Sequence, residues 1–400
     1  GRISVYYLNS TFTGKIEARG GEGSIKGEDG TVVLIDTQNN ILYTGHSFRF
    51  QENDSPFNFS KVILNNSKVS TEGNISLTAD ELVAINNSRV IIQGNSSLVT
   101  NELIIDNSSL TLDGTIILSI GILELDKSSL TLKNSSIIVI DDSLFLNDAS
   151  LTFIDSQYLS VPFIILNNSK VSVKGKVEII ANEFLSSNST LSLTNSSLIE
   201  AQNLNLTAST LEIKEEAHFN IHKSAFLSKS SLIFNNLQSL SPVFFTVPSL
   251  ILDNSTVTLS GVETLDVNVI QLMNHSTLTH LPQGKIFLRL SKLTIDPTSS
   301  ISADGKGYPS DSGPGRGAQA YSFYSNSGAG GGGYGGKGGN GQGTGGEGGS
   351  TYGSALMPED LGSGGGGADH APGGAGGCLL YTSDAADDGE SVDLGGRRII

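Results

Sequence analysis

Disulfides have nothing to work with in this chain. One cysteine, Cys378, stands in 400 residues, so cross-links do not hold the fold and cysteine usage leaves the compartment open. Cations are scarce: 24 Lys and Arg stand against 40 Asp and Glu, a formal charge of −16, with a pI near 4.7. That balance argues against nucleic acid and anionic membrane surfaces, which both select Lys and Arg. No apolar run is long enough to span a bilayer. An initiator methionine and a signal peptide are also missing. Gly1 opens in mid-pattern, as expected of a piece of a longer protein, so the missing signal says nothing about export. Few windows carry the apolar spacing of a helix.

What the chain does have is a repeat. A phrase reading apolar, any, apolar, Asn/Asp, any, Ser, polar, Leu/Val returns as AINNSRV, IIDNSSL, FLNDASL, ILNNSKV and ILDNSTV. Its closing residues fall at Val69, Val90, Leu110, Leu130, Leu151, Val171, Leu191, Leu211, Leu232, Val257, Leu278 and Ile301. Through Leu232 the step is about 20 to 21 residues, and afterwards about 25, 21 and 23. A period of this kind means one supersecondary unit stacked on itself, with a continuous shared core.

Inside one unit the apolar residues alternate at period two, the signal of strands. In Ser108 to Lys127, Leu110 and Leu112 flank Thr111, Ile117 follows Asp113-Gly114, and Leu123 and Leu125 flank Glu124. Ser, Thr, Asn and Gly fill the corners, as turn chemistry requires. Three short strands per unit predict an all-β coil, a right-handed parallel β-helix in which like residues stack about 4.8 Å apart. A lone turn cannot bury enough to order itself, so stability has to come from its neighbours. Pro162 and Pro248 each lie five residues before an equivalent Asn or Asp, which puts both at one corner, at a strand start. The long step after Leu232 is expected to carry a loop across Ser239 to Pro248.

Four regions follow. Residues 1–60 read as the end of a preceding glycine-rich and β module. Residues 61–304 read as a β-helix of about eleven turns. In residues 305–377, 30 of the 73 residues are Gly; such a stretch predicts long turns draped on the coil or a flexible spacer. Residues 378–400 contain CLLYTSDAAD and VDLGGRRII, which resemble in-frame translations of a transposon-end sequencing adapter and its extension. On that reading the tail is a disordered artefact, and natural sequence stops near Gly377 without its one cysteine.

GRISVYY at Gly1 to Tyr7, GKIEARGGEG at Gly14 to Gly23, and the glycine block with Tyr334, Tyr352-Gly353-Ser354 and Leu361-Gly362-Ser363-Gly364 resemble large, repetitive, glycine-rich β-helix surface proteins. Those belong to ciliates and other microbial eukaryotes, with adhesin-like relatives. The resemblance implies an extracellular or surface-exposed protein and carries no catalytic residues.

Candidate sites are few. Asn-x-Ser/Thr sequons stand at Asn65, Asn74, Asn86, Asn95, Asn107, Asn134, Asn167, Asn188, Asn195, Asn205, Asn254 and Asn274, among others. They suit N-glycosylation of a secreted protein. They also suit a corner ladder, in which stacked Asn and Ser side chains bond along the column or satisfy the turn backbone. Asp106 and Asp126 sit one period apart, near the spacing of a retaining glycosidase pair, yet their column accepts any small turn former. Asp141-Asp142 and Glu215-Glu216 lie near corners without Arg or His. His218 and His222 have the spacing of zinc ligands on a helix, but Ala217, Phe219 and Ile221 alternate as in a strand, which holds the two apart. The Gly runs lack the periodic Asp of calcium-binding nonapeptides. Thr111, Thr131, Thr152, Ser172, Ser192, Thr258 and Thr279 share one outward column that could bind ice or glycan; it is interrupted at Glu212 and Ile233, and ice binding would want two such columns.

The sequence thus reads as a noncatalytic structural or adhesive surface protein, with no cofactor or metal and with surface proteins or glycans as partners. The alternatives are a polysaccharide-processing, pectin lyase-like β-helix enzyme and a glycan-binding module. The enzyme needs Asp, Arg or Lys clustered in a groove, and no such cluster emerges from the columns.

Overall fold

The computed structural model describes residues 2–11, 16–21, 30–155, 157–194, 197–214, 217–235, 244–259, 262–320, 328–342, 346–354, 360–368, 371–376 and 380–384. They divide into two compact units, Gly1–His222 and Lys223–Ile400. Among the described residues the regular elements are β-strands, apart from one 3-10 turn at Glu52–Asp54. The fold is a parallel β-solenoid.

In the first unit Arg2–Tyr7 runs parallel to Thr31–Asp36, which turns back antiparallel against Ile41–Gln51. Asp36 builds that reversal: its Oδ1 accepts the N–H groups of Gln38 and Asn39 at 2.9 and 3.0 Å, and Asn40 is left-handed at φ 57°. From Ile41 on, pairing is parallel. Coiling therefore starts before residue 61, where the repeat first becomes legible. The reason is Thr44, which stands opposite Leu64 and fills an inward position with a hydroxyl bonded to Val32 O at 3.0 Å.

The expected three strands per turn are two in hydrogen-bonding terms, one long and one short, as in Ser97–Asp106 with Ser109–Asp113 or Val177–Ser187 with Thr190–Thr194. The long strand takes the third corner as a bend. Leu98 and Thr100 before it and Leu103 and Ile105 after it all point inward and are buried. At this bend a Cβ on Gly121 would meet Asn101 O at 2.5 Å, so the two backbones pass there only because the residue is glycine. Pro162 occupies the same bend inside Gln157–Asn167: Val161 pairs with Ala181 and Phe163 with Glu183, and the proline is skipped.

The closing residues of the repeat are the register itself. Val69 faces Val90, Val90 faces Leu110, and the series continues through Leu130, Leu151, Val171 and Leu191 to Leu211. All eight are at most 4% exposed. Phe153, Phe184 and Phe219 fill the widest parts of this interior.

In the second unit Leu232 faces Val257, Val257 faces Leu278, and Leu278 faces Ile301. The first three are fully buried and Ile301 is half-buried. Ser249–Asp253, Val269–Met273 and Lys292–Ile295 stack as a second set, and Val262–Asp266 pairs with Lys285–Leu290. Pro248 directly precedes its strand, and its carbonyl accepts the N–H of Val269 at 3.0 Å. Of the loop expected across Ser239 to Pro248, residues 239–243 lie outside the described residues, and Phe244–Thr246 is instead a short strand.

The glycine-rich region differs from a draped or flexible spacer. Its described stretches bond to one another through their backbones. The N–H of Gly330 donates to Ala318 O at 2.9 Å, that of Ala318 to Glu347 O at 2.8 Å, that of Gly349 to Gly331 O at 2.9 Å, and that of Gly338 to Gly349 O at 2.9 Å. None of these residues is in a strand. Many of its glycines face a neighbouring backbone: a Cβ on Gly338, Gly341, Gly346, Gly348, Gly349, Gly373 or Gly376 would strike a carbonyl oxygen of another stretch. Order here comes from the main chain, which is why an argument from scarce apolar side chains pointed the other way. Leu380–Asp384, expected within a disordered tail, pairs in parallel with residues 286–290; residues 385–400 lie outside the described residues.

Candidate functional site

The feature repeated most often on the coil is the corner that follows each long strand. Its middle residue is left-handed: φ is 49° at Asn66, 48° at Asn168, 49° at Asn188 and 47° at Ala208 in the first unit, and 50° at Lys229 and 47° at Asn254 in the second. Asn tolerates this conformation better than other side-chain-bearing residues. The twist turns the next residue, a serine, into the core. There the N–H of one serine donates to the hydroxyl of the serine one turn on: Ser67 to Ser88 at 3.1 Å, Ser88 to Ser108 at 3.0 Å, Ser108 to Ser128 at 3.1 Å, Ser189 to Ser209 at 3.2 Å. In the second unit Ser230 donates to Ser255 at 3.0 Å and Ser255 to Ser276 at 3.1 Å. The hydroxyl protons donate to carbonyls of the same corner, Ser169 to Asn167 O at 2.7 Å and Ser255 to Asp253 O at 2.8 Å. The buried polar groups of these rungs are thereby matched, donor to acceptor.

A second ladder runs outside. Asn86 Nδ2 donates to Asn65 Oδ1 at 2.8 Å, Asn107 to Asn87 at 3.4 Å, Asn134 to Asp113 at 2.6 Å, Asn167 to Asn147 at 2.8 Å, and, in the second unit, Asn274 to Asp253 at 2.6 Å. Asn65 also donates to the Tyr43 hydroxyl at 3.0 Å, and Asn74 Oδ1 accepts the N–H of Asn95 at 2.8 Å. The corner-ladder reading of the sequons is therefore what the geometry contains. Asn74, Asn86, Asn95, Asn107, Asn134, Asn167, Asn188, Asn254 and Asn274 are exposed, and Asn65 and Asn205 are half-buried. Asn195 lies outside the described residues, as do Glu215 and Glu216.

The acidic and histidine candidates do not converge. Asp106 stacks on Asp126. Asp126 accepts Asn147 Nδ2 at 2.5 Å and Lys127 Nζ at 3.2 Å. Those bonds, Asn147's first, hold its carboxyl below the usual range. A glycosidase acid needs the opposite shift. Asp141 and Asp142 are exposed where the register slips between Ile140 and Ser143. His222 Nε2 lies 3.9 Å from Glu200 Oε2. Among the described residues no three His, Cys, Asp or Glu side chains gather as a metal site. None of the helices among them is long and apolar enough to cross a membrane.

The single outward hydroxyl column needs correction. Thr111, Thr131, Thr152, Ser172 and Ser192 do stack in the first unit, and Thr258 and Thr279 in the second. A parallel column stands two residues earlier: Ser109, Ser129, Ser150, Lys170, Thr190 and Thr210, then Thr256, Thr277 and Ser300 in the second unit. Parity in the strand puts it on the same face.

Comparison of the chain with protein-family models, with curated proteins and with solved structures finds no match. The class is set by the architecture alone, a parallel β-solenoid with laddered corners and a glycine-rich bundle.

Proposed function

We propose that this chain is a noncatalytic structural or adhesive protein of the cell surface, of the glycine-rich β-helix kind that its sequence resembles. One observation carries the reading. In each unit the outer side chains stand in columns with the same residue types one above another, so a weak contact to a surface protein or a glycan is repeated turn after turn, and repetition multiplies avidity. The stacked interior of each unit is mostly apolar with a hydrogen-bonded serine ladder, which suits a stiff presenting element. Labelling of intact source cells with a membrane-impermeant amine reagent, followed by recovery of this chain, tests the location. Labelling before permeabilisation is expected; labelling only afterwards defeats the reading. Incubation with pectin separates it from the enzyme alternative, since new reducing ends or unsaturated uronates would have to appear for catalysis to hold.

A further inference from the structure

The sequons at Asn188 and Asn254 are built differently from those at Asn167 and Asn274. At Asn167 and Asn274 the sequon hydroxyl belongs to an inward ladder serine, Ser169 or Ser276, 5% and 0% exposed. Both asparagines also hold a rung of the outer ladder. Asn188 and Asn254 are themselves the left-handed residues of their corners, so each sequon falls one position later. Its hydroxyl is then Thr190 or Thr256, which opens a short strand and faces outward. Both asparagines are exposed. Their main-chain N–H groups are satisfied by Thr207 O and Met273 O, each at 3.0 Å. Among the described residues no side-chain hydrogen bond engages either amide, in contrast to the rungs at Asn167 and Asn274.

We propose that, of these four, Asn188 and Asn254 are the positions at which the folded chain accepts an N-linked oligosaccharide. For its occurrence in the cell this rests on the surface reading above. The donor is a lipid-pyrophosphate-linked oligosaccharide. Asn Nδ2 attacks the anomeric carbon, the N–C1 bond forms, and the C1–O bond breaks. The lipid pyrophosphate leaves with the electron pair, and the amide proton passes to a base of the transferase. No bond of either corner has to break for the product to fit, whereas substitution at Asn167 or Asn274 takes a proton from a ladder amide and needs a serine hydroxyl that the core encloses.

The test uses the whole folded chain, a purified oligosaccharyltransferase and its lipid-linked donor, read by glycopeptide mass spectrometry, with tryptic peptides of the same chain as the unfolded comparison. Modification of Asn188 and Asn254 in the folded chain, with loss of signal at Asn167 and Asn274 but all four modified in peptides, is the expected result. Equal occupancy of all four in the folded chain overturns the proposal. So does an unmodified Asn188 and Asn254, whether or not their peptides react. The reaction takes place in vitro, so its failure is separate from failure of the surface labelling.

Discussion

Ser169 and Ser189 are joined through the wall of the coil. The N–H of Ser169 donates to Ser189 Oγ at 2.9 Å, and the Ser189 hydroxyl donates in turn to Ser187 O at 2.7 Å. Both serines are at most 5% exposed, so water cannot replace either partner.

Ser189→Ala strands the buried Ser169 N–H and is expected to destabilise the chain by about 1–3 kcal/mol. The opposite change has a natural position. Ala149 interrupts the ladder and leaves Ser128 N–H without an acceptor among the described residues. Ala149→Ser is expected to add about 0.5–1.5 kcal/mol. Urea midpoints of the two variants should move in opposite directions; shifts of the same sign would refute the ladder.

Phe153 is fully buried in the first unit. Phe153→Ala removes its volume from a column that cannot close the gap, and about 3–5 kcal/mol should be lost. Thr152→Ala, one residue away on the outer face, should stay near wild type. Thermal melts that rank the two in reverse would place the side chains on the wrong faces.

His280 titrates where the core is dry. It is fully buried, its Nδ1–H donates to Leu281 O at 2.7 Å, and burial pushes its pKa below the ordinary 6.5, with the charge of Lys306 adding to the same shift. The folded form then binds fewer protons than the unfolded chain, so stability is full above about 6.5 and falls as the pH drops below it. His280→Leu should remove this slope between pH 7 and about 5. What remains is the loss from carboxylates held low, such as Asp126 and Asp311, which begins only near their ordinary value of 3.8. An unchanged midpoint-against-pH curve in the variant would exclude His280 as the source.

In the glycine bundle Gly341→Ala puts a methyl against Gly328 O, whereas Gly339→Ala points into open space. Hydrogen exchange across residues 305–376 should speed up in the first variant and stay unchanged in the second. Equal exchange in both would mean that the backbones do not pass at contact distance.

The coil was legible because Leu110, Leu130 and Leu151 carry the period openly, and each of them pairs with the next. Ser108 was read as a corner residue, although its parity with Leu110 and Leu112 placed it inside. Polarity masked a direction that spacing already contained. The bend at Gly121 was missed because a strand can change direction without losing its ladder, and composition alone does not record that. The backbone contacts of the bundle were hidden by its uniform composition: Gly338 and Gly341 face a neighbouring backbone, Gly339 does not, and one-letter code writes them alike. Among the sequons, Asn188 differs from Asn167 by a single position on the corner: it stands three residues before its anchor Leu191, where Asn167 stands four before Val171.

The inner serine ladder also gives each stack a polarity. A rung is completed by the turn that comes after it, as Ser67 is by Ser88 and Ser230 by Ser255. On a ribosome, which delivers the amino end first, every newly wound coil finishes the wall of its predecessor and leaves its own corner amides open, as those of Asn87 and Ser88 are until Asn107 and Ser108 arrive. An interrupted chain therefore ends in unpaired corner amides at its youngest edge, which the next turn would have closed.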